Sequence, residues 1–252
     1  MPEFVKSLAQ AERLQAEADA LEAIRATNTV RVPGFIDLEI KSGISHLRLE
    51  YLELRPLQRS AAIALGESLA ALHGYTQAEY GWQQDNFIGS MPQFNSPLSS
   101  WPLFYAQRRL LPQLKWAVSN GLGKQAYEQG IFLTENCEVF FSGSSHPQPS
   151  LLHGDLWAGN AGQLNETTPV IFDPASYYGD RAADIAMSEL FGGFPEVFYT
   201  SYRHAWPLPP EYSLRRQLYN LYHVLNHFNL FGSSYLGQAK RLLAELSSEL
   251  KG

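Results

Sequence analysis

The chain has 252 residues and only one cysteine, Cys137, so it can close no disulfide within itself and build no cysteine metal cluster. Cys137 lies in Glu135-Asn136-Cys137-Glu138, an acidic setting that disfavours a thiolate, and it reads as a buried bystander. Positive charge is also scarce. The 19 Lys and Arg residues against 25 Asp and Glu give a net charge of −6, with no basic run to follow a polyanion, which excludes nucleic acid as the main partner. No apolar stretch approaches the ~18 residues of a membrane span, and the N-terminus lacks the basic-then-apolar order of a secretory signal. The expectation is a cytoplasmic protein with no membrane partner. Core material, by contrast, is abundant. Hydrophobic residues make up 45% and aromatics 13%, which suits one large domain or two lobes sharing a cleft.

Residues 7–26, rich in Ala, Glu, Leu and Gln, predict a helix with Leu14, Leu21 and Ile24 on one apolar stripe. Glu17 falls within that stripe, where a carboxylate needs a partner unless it snorkels to water from the edge. Residues 35–41 and 46–54 predict two strands joined by a turn at Lys41-Ser42-Gly43-Ile44. Residues 50–57 then form a hinge, and the pattern turns helical. Ala61 to His73 reads as a helix stopped by Gly74, Gly81 to Pro102 as a loop, and residues 103–130 as mostly helix. A polar loop runs from Ser142 to Ser150, and helices dominate after Asp184. The fold class is α+β, with a small β-containing lobe over residues 1–55 and a larger, mainly helical lobe over residues 56–252.

Chemistry concentrates between these regions. His153-Gly154-Asp155-Leu156-Trp157-Ala158-Gly159-Asn160 has the H-x-D-x-x-x-x-N spacing of a phosphoryl-transfer catalytic loop. Such transfer needs a carboxylate to take the proton of the attacking hydroxyl and oxygen ligands for Mg²⁺, which suits Asp155 and Asn160 respectively. A strand over 161–164, a turn over 165–168 and a strand over 170–172 would return Asp173 beside Asn160 as a second metal ligand. An acidic average is no obstacle to ATP, whose phosphates are held locally. His153 reads either as a catalytic group or, preferably, as the side chain that holds the turn. Asp184 reads as a helix cap or as a buried acceptor for the catalytic loop.

Residues 151–194 closely resemble the fructosamine/ketosamine-3-kinase family, part of the aminoglycoside-phosphotransferase-like group with a protein-kinase-like fold. The likeness extends to Thr27–Pro33, Leu72-His73, Tyr80-Gly81-Trp82, Asp85–Gln93 and Leu221–Gly232. It implies transfer of the ATP γ-phosphate to the 3-hydroxyl of a ketosamine, free or protein-bound, in the service of deglycation. It further implies a hinge at Glu50, Tyr51 and Leu52 whose backbone meets adenine, and a Trp157 that packs on the sugar instead of in the core. Phe4-Val5-Lys6 resembles the family's strand bearing the ATP-binding lysine, and Glu17 its helix partner; a solvated Lys6 is the plain alternative. No Gly-rich loop precedes Lys6, so the small lobe reads as N-terminally truncated. A late start codon, a shortened chain and a loss of the lid remain open. The last would leave a pseudokinase that binds without turnover, and uncovered sheet edges would allow a weak dimer in place of a monomer. A kinase for another sugar, aminoglycoside or choline-type hydroxyl is the other reading.

Overall fold

A computed structural model describes residues 2–143 and 146–251; Ser144 and Ser145 of the polar loop fall outside the described residues. The chain opens with a strand, β1 (Glu3–Leu8), followed by helix α1 (Ala11–Ala26) and the strands β2 (Phe35–Lys41) and β3 (Ile44–Glu50). The three strands form one antiparallel sheet in the order β1-β3-β2. Helix α1 therefore starts later than its composition suggests. Ser7 and Leu8 are taken by the sheet, where they face His46 and Ser45 of β3, and ladder pairing outweighs a weak helix preference. The β2–β3 turn pairs Lys41 directly with Ile44, with Ser42 and Gly43 at φ 51° and 79°. Two consecutive positive φ values give the turn whose twist matches the strands, so β3 begins earlier than expected. β3 also ends earlier, at Glu50. Beyond it the Tyr51 amide donates to Pro2 O and the chain peels away from the sheet.

The second part is helical. Helix α2 (Arg59–His73) packs along a later helix and ends at Gly74, which stays at φ −67° and so closes the helix without a left-handed residue. The segment 81–102, expected as loop, contains a short hairpin of β4 (Asn86–Ile88) and β5 (Met91–Gln93). Helix α3 (Trp101–Phe104) runs through a widened π-type turn, Tyr105–Leu110, into α4 (Leu111–Ser119), and α5 (Lys124–Glu135) follows. The widening lies just ahead of Pro112, which cannot donate to the carbonyl of Arg108, and Arg109 Nη1 donates to that oxygen at 3.1 Å instead. Strand β6 (Ser150–Leu151) leads to the 153–160 loop, and the expected hairpin is present as β7 (Ala161–Gln163) and β8 (Pro169–Ile171). Strand β9 (Tyr178–Gly179) pairs with β6, and α6 (Ala182–Leu190), α7 (Glu196–Ala205), α8 (Tyr212–Phe231) and α9 (Leu236–Glu249) complete the chain. Among the described residues no helix is long and apolar enough to cross a membrane.

Two cores hold this arrangement. In one, Leu14, Leu21 and Ile24 of α1 join Leu47 and Leu49 of β3, Leu65 of α2 and Leu156 of the 153–160 loop. In the other, Trp101, Tyr105, Tyr219 and Tyr222 pack between α3, the π-type turn and α8. The sheet and the 153–160 loop thus share an apolar cluster, so α1 and Asp155 cannot shift independently without opening voids. Cys137 is buried, and the loss of water pushes its thiol up to about 12.

Candidate active site

Asp155 follows a glycine whose backbone only glycine fits. Gly154 has φ +84°, and a Cβ there would stand 2.1 Å from Ala175 O. The turn is fastened from below by Asp184, whose Oδ2 accepts the His153 amide at 2.7 Å and whose Oδ1 accepts the Gly154 amide at 2.8 Å. Asp184 is therefore the buried acceptor and not a helix cap; the Ala182 amide at the start of α6 is met by Asp180 Oδ1. Burial pushes its carboxyl up, but a hydrogen bond from His73, the electrostatic pull of His73 and His153 and the Gly154 amide together hold it below its ordinary value.

The carboxylate of Asp184 also lies 3.2 Å from His73 Nε2, and His73 Nδ1 is 2.8 Å from Tyr202 Oη. With Arg181 Nη1 donating to Tyr202 Oη at 2.9 Å, the pattern assigns Tyr202 as donor to Nδ1 and His73 Nε2–H as donor to Asp184. Burial holds His73 neutral, lowering its pKa. His153 is likewise neutral, with its Nε2–H donating to Phe172 O at 3.0 Å and its Nδ1 accepting the Asp155 amide at 3.3 Å. Both ring nitrogens are spent on backbone, so His153 holds the turn.

Asn160 Nδ2 donates to Asp155 O at 2.9 Å and lies 3.4 Å from Asp155 Oδ2, which fixes the orientation of the amide. The Phe172 amide bonds to Asn160 O, bringing Asp173 to Asn160 as the hairpin spacing predicts. Asp173 itself sits in the left-handed region at φ 57°, which Asp tolerates better than most residues, and its side chain is 46% exposed into the cavity. Asp155 is pushed up to about 7, first by burial, then by the charges of Asp173 and Asp184, with the Asn160 hydrogen bond opposing. A carboxyl with that value can exchange a proton near neutral pH.

Lys6 Nζ lies 2.7 Å from Glu17 Oε1 and 2.5 Å from Asp173 Oδ1. One ammonium serves two carboxylates. Its pKa is raised by both, against desolvation, whereas Glu17 is raised by its own burial and by Asp173 more than Lys6 lowers it. Lys6 is the cation of the site and not a solvated terminal residue, and Glu17 is its partner.

Two cavities meet at these three residues. One, of about 470 Å³, is lined by Lys6, Glu17, Asp155, Trp157, Asn160 and Asp173, together with Arg13, Asn86, Phe87 and Gly89. The other, of about 230 Å³, is walled by Phe4, Leu21, Pro33, Leu49, Leu54 and Phe172 and closed by Glu50, Tyr51 and Leu52. The Glu50 amide donates to Gly34 O at 2.8 Å, and its carboxylate pairs with Arg31, so neither its N–H nor its charge is spare and Glu50 contributes mainly shape to the pocket. Trp157 is 38% exposed, its ring lying across Gly159, so it faces the larger cavity and not the core.

The sequence reading missed Arg13 and the β4–β5 hairpin, and it named His73 within the resemblance without giving it a role. The Asn86-Phe87-Ile88-Gly89 stretch was visible as a resemblance, but nothing local marked it as a cavity wall.

A family model described as fructosamine kinase matches residues 3–249. A probable ketoamine kinase of Synechocystis sp. is 45% identical over 246 residues, covering 96% of this chain and 82% of that protein. The chloroplastic protein-ribulosamine 3-kinase of Arabidopsis thaliana is 40% identical over 240 residues, covering 94% of this chain and 73% of that one. The crystal structure of a candidate fructosamine-3-kinase from Haemophilus somnus 129PT superposes with a TM-score of 0.88 at 31% identity, covering 97% of this chain and 83% of that chain. An aminoglycoside phosphotransferase in ternary complex with AMP-PNP and hygromycin B shares the fold at 12% identity and a TM-score of 0.61, covering 99% and 87%.

Proposed function

The chain belongs to the fructosamine kinase family, and on that premise we propose that it transfers the γ-phosphoryl group of ATP to the 3-hydroxyl of a ketosamine, with Asp155 as the base. The observation that carries the reading is the meeting of an adenine-sized apolar pocket and a polar cavity at Lys6, Glu17 and Asp173. A nucleotide laid across that junction puts its base against Pro33, Leu49 and Phe172 beside the Glu50–Leu52 backbone. Its phosphates then fall at Lys6, and an acceptor sugar resting on Trp157 presents its hydroxyl to Asp155. A flat indole suits the apolar face of a sugar ring.

Asp155 takes the hydroxyl proton as the sugar oxygen attacks the γ-phosphorus and the bond to the bridging oxygen of ADP breaks. The products are ADP and a ketosamine 3-phosphate. Asn160 and Asp173 suit Mg²⁺: both present oxygen, and Asp173 already accepts one cation, the ammonium of Lys6. When bound, the ion neutralises charge on the phosphates. Holding Lys6 away from solvent is the part of Glu17. His153 and Asp184 support the loop. We place the reaction in the cytoplasm, where ATP is available.

The test is ADP release with fructoselysine. Asp155→Asn should lower kcat by about 10²–10⁴-fold while nucleotide affinity stays within a few-fold. Turnover retained by Asp155→Asn would reject Asp155 as base, and wild-type turnover on aminoglycosides or choline but not on ketosamines would reject the substrate.

A further inference from the structure

Arg13 lies one helical turn before Glu17 on α1, and its Nη2 donates to the carbonyl of Gly89 at 2.9 Å across 76 positions of sequence. Gly89 is the tip of the β4–β5 hairpin, held at φ +61°. The base of that hairpin is fastened to the chain just beyond Asp173: Asn86 Nδ2 donates to Ser176 O at 2.8 Å and Gln93 Nε2 to Ala175 O at 3.0 Å. Asn86 and Gln93 are buried, and they are bonded to each other and onward to Asn95 and Tyr222. Hydrogen bonds of this kind, satisfied and out of water, make the hairpin a rigid strut.

The contacts close a ring. From Arg13 it passes through the hairpin to Ala175 and Ser176, back along the chain to Asp173, across Lys6 to Glu17, and along α1 to Arg13. Helix α1 is thus tied to the Asp173 segment twice, once through Lys6 and once through Arg13. Only the first tie uses groups that must turn to ligands, since Lys6 serves the phosphates and Asp173 the metal. Once those two engage their ligands, the bond between them is given up and the Arg13 tie remains.

We propose that Arg13 is a positioning residue, which holds α1, and with it Glu17 and Lys6, in register with Asp173 by gripping the tip of the β4–β5 hairpin. Its Nε is buried without a partner, which suits a side chain held for its reach to Gly89 and not for saturating its donors. The inference rests on Lys6, Glu17 and Asp173 forming the phosphate end of the site, not on the identity of the sugar.

Arg13→Ala and Arg13→Lys test it, with wild type beside them, by steady-state kinetics on fructoselysine, by nucleotide affinity measured with a fluorescent ATP analogue and Mg²⁺ in the absence of sugar, and by thermal unfolding. Loss of a charge-assisted hydrogen bond that orders the site should weaken nucleotide binding and lower kcat by about tenfold each in Arg13→Ala. The unfolding temperature should stay within about 3 °C, and Arg13→Lys, which keeps a donor of similar reach, should recover most of both losses. The proposal is overturned by unchanged nucleotide affinity and kcat in Arg13→Ala, by a rise confined to the KM for fructoselysine, which would make Arg13 a sugar contact, or by a failure of lysine to restore either quantity. If wild type proves inactive on every ketosamine, the nucleotide arm still decides the matter.

Discussion

Asp184 has no contact with either cavity, yet it gathers the amides of His153 and Gly154 and the Nε2 of His73 onto one buried carboxylate. Asparagine in its place must turn an NH₂ group towards one of three donors. A buried donor facing another donor loses its partner outright, so Asp184→Asn should destabilise the fold by about 2–4 kcal/mol. In a chain of this size that is a fall of about 10 °C in Tm. Activity should fall as well, because Gly154 cannot move without shifting Asp155. Thermal unfolding checks this, and a loss under about 1 kcal/mol would show that the carboxylate is dispensable. Asp155, Asn160 and Asp173 were legible in the sequence because their geometry is made within one short stretch of chain. The partners of Asp184 and Arg13 were not, since His73 lies 111 positions from Asp184 and Gly89 lies 76 from Arg13. Residue spacing says nothing about contacts of that range.

Elements followed the same rule. The β7–β8 hairpin was readable because its turn residues stand between two apolar runs, and its register fixes Asp173. The β4–β5 hairpin was not readable: its strands are three residues each, lie among Gly, Pro and Asn, and include Pro92, which strands usually avoid. The β2–β3 turn was found in sequence but not its cost. Ser42 occupies φ 51° with a side chain that gains nothing there, whereas Asn or Gly accepts that region readily. Ser42→Asn, which makes an Asn-Gly turn, should therefore stabilise the protein by about 0.5–1 kcal/mol and raise Tm by about 1–4 °C without altering turnover. A lower Tm in differential scanning calorimetry would show that the serine is favoured by something other than backbone conformation.

Across the whole molecule, composition and periodicity pointed to a small sheet and a larger helical part, but not to the shared core that welds α1 and β3 to Leu156. Nor did they show that the packing would bury three histidines and partly bury a fourth, His227, among the described residues. His73, His153, His223 and His227 are all held below the ordinary imidazole value by desolvation, His223 down to about 3. Above the unfolded value of about 6.5 these rings are neutral whether the chain is folded or not, and they give stability no pH dependence. Below it the unfolded chain binds protons that the native chain refuses, so each ring removes up to about 1.4 kcal/mol per pH unit until its own folded value is reached. Asp184, whose pKa is depressed, adds to the loss further down, as pH falls from its unfolded value through its folded one. Asp155 and Glu17, whose folded values are raised, act the other way and gain stability as pH falls. Two carboxyls against four rings leave a net loss, so denaturant titrations at pH 7.5, 6.5 and 5.5 should show a small change over the first interval and a clear fall over the second. His223 is the ring to remove. Its Nδ1 is buried without a hydrogen bond, so His223→Leu gives up no bond at that atom. The variant should lose about 1.4 kcal/mol per pH unit of the acid slope while remaining folded at pH 7.5. An unchanged slope would mean that His223 protonates in the native state at ordinary pH, and that its burial does not exclude the charge.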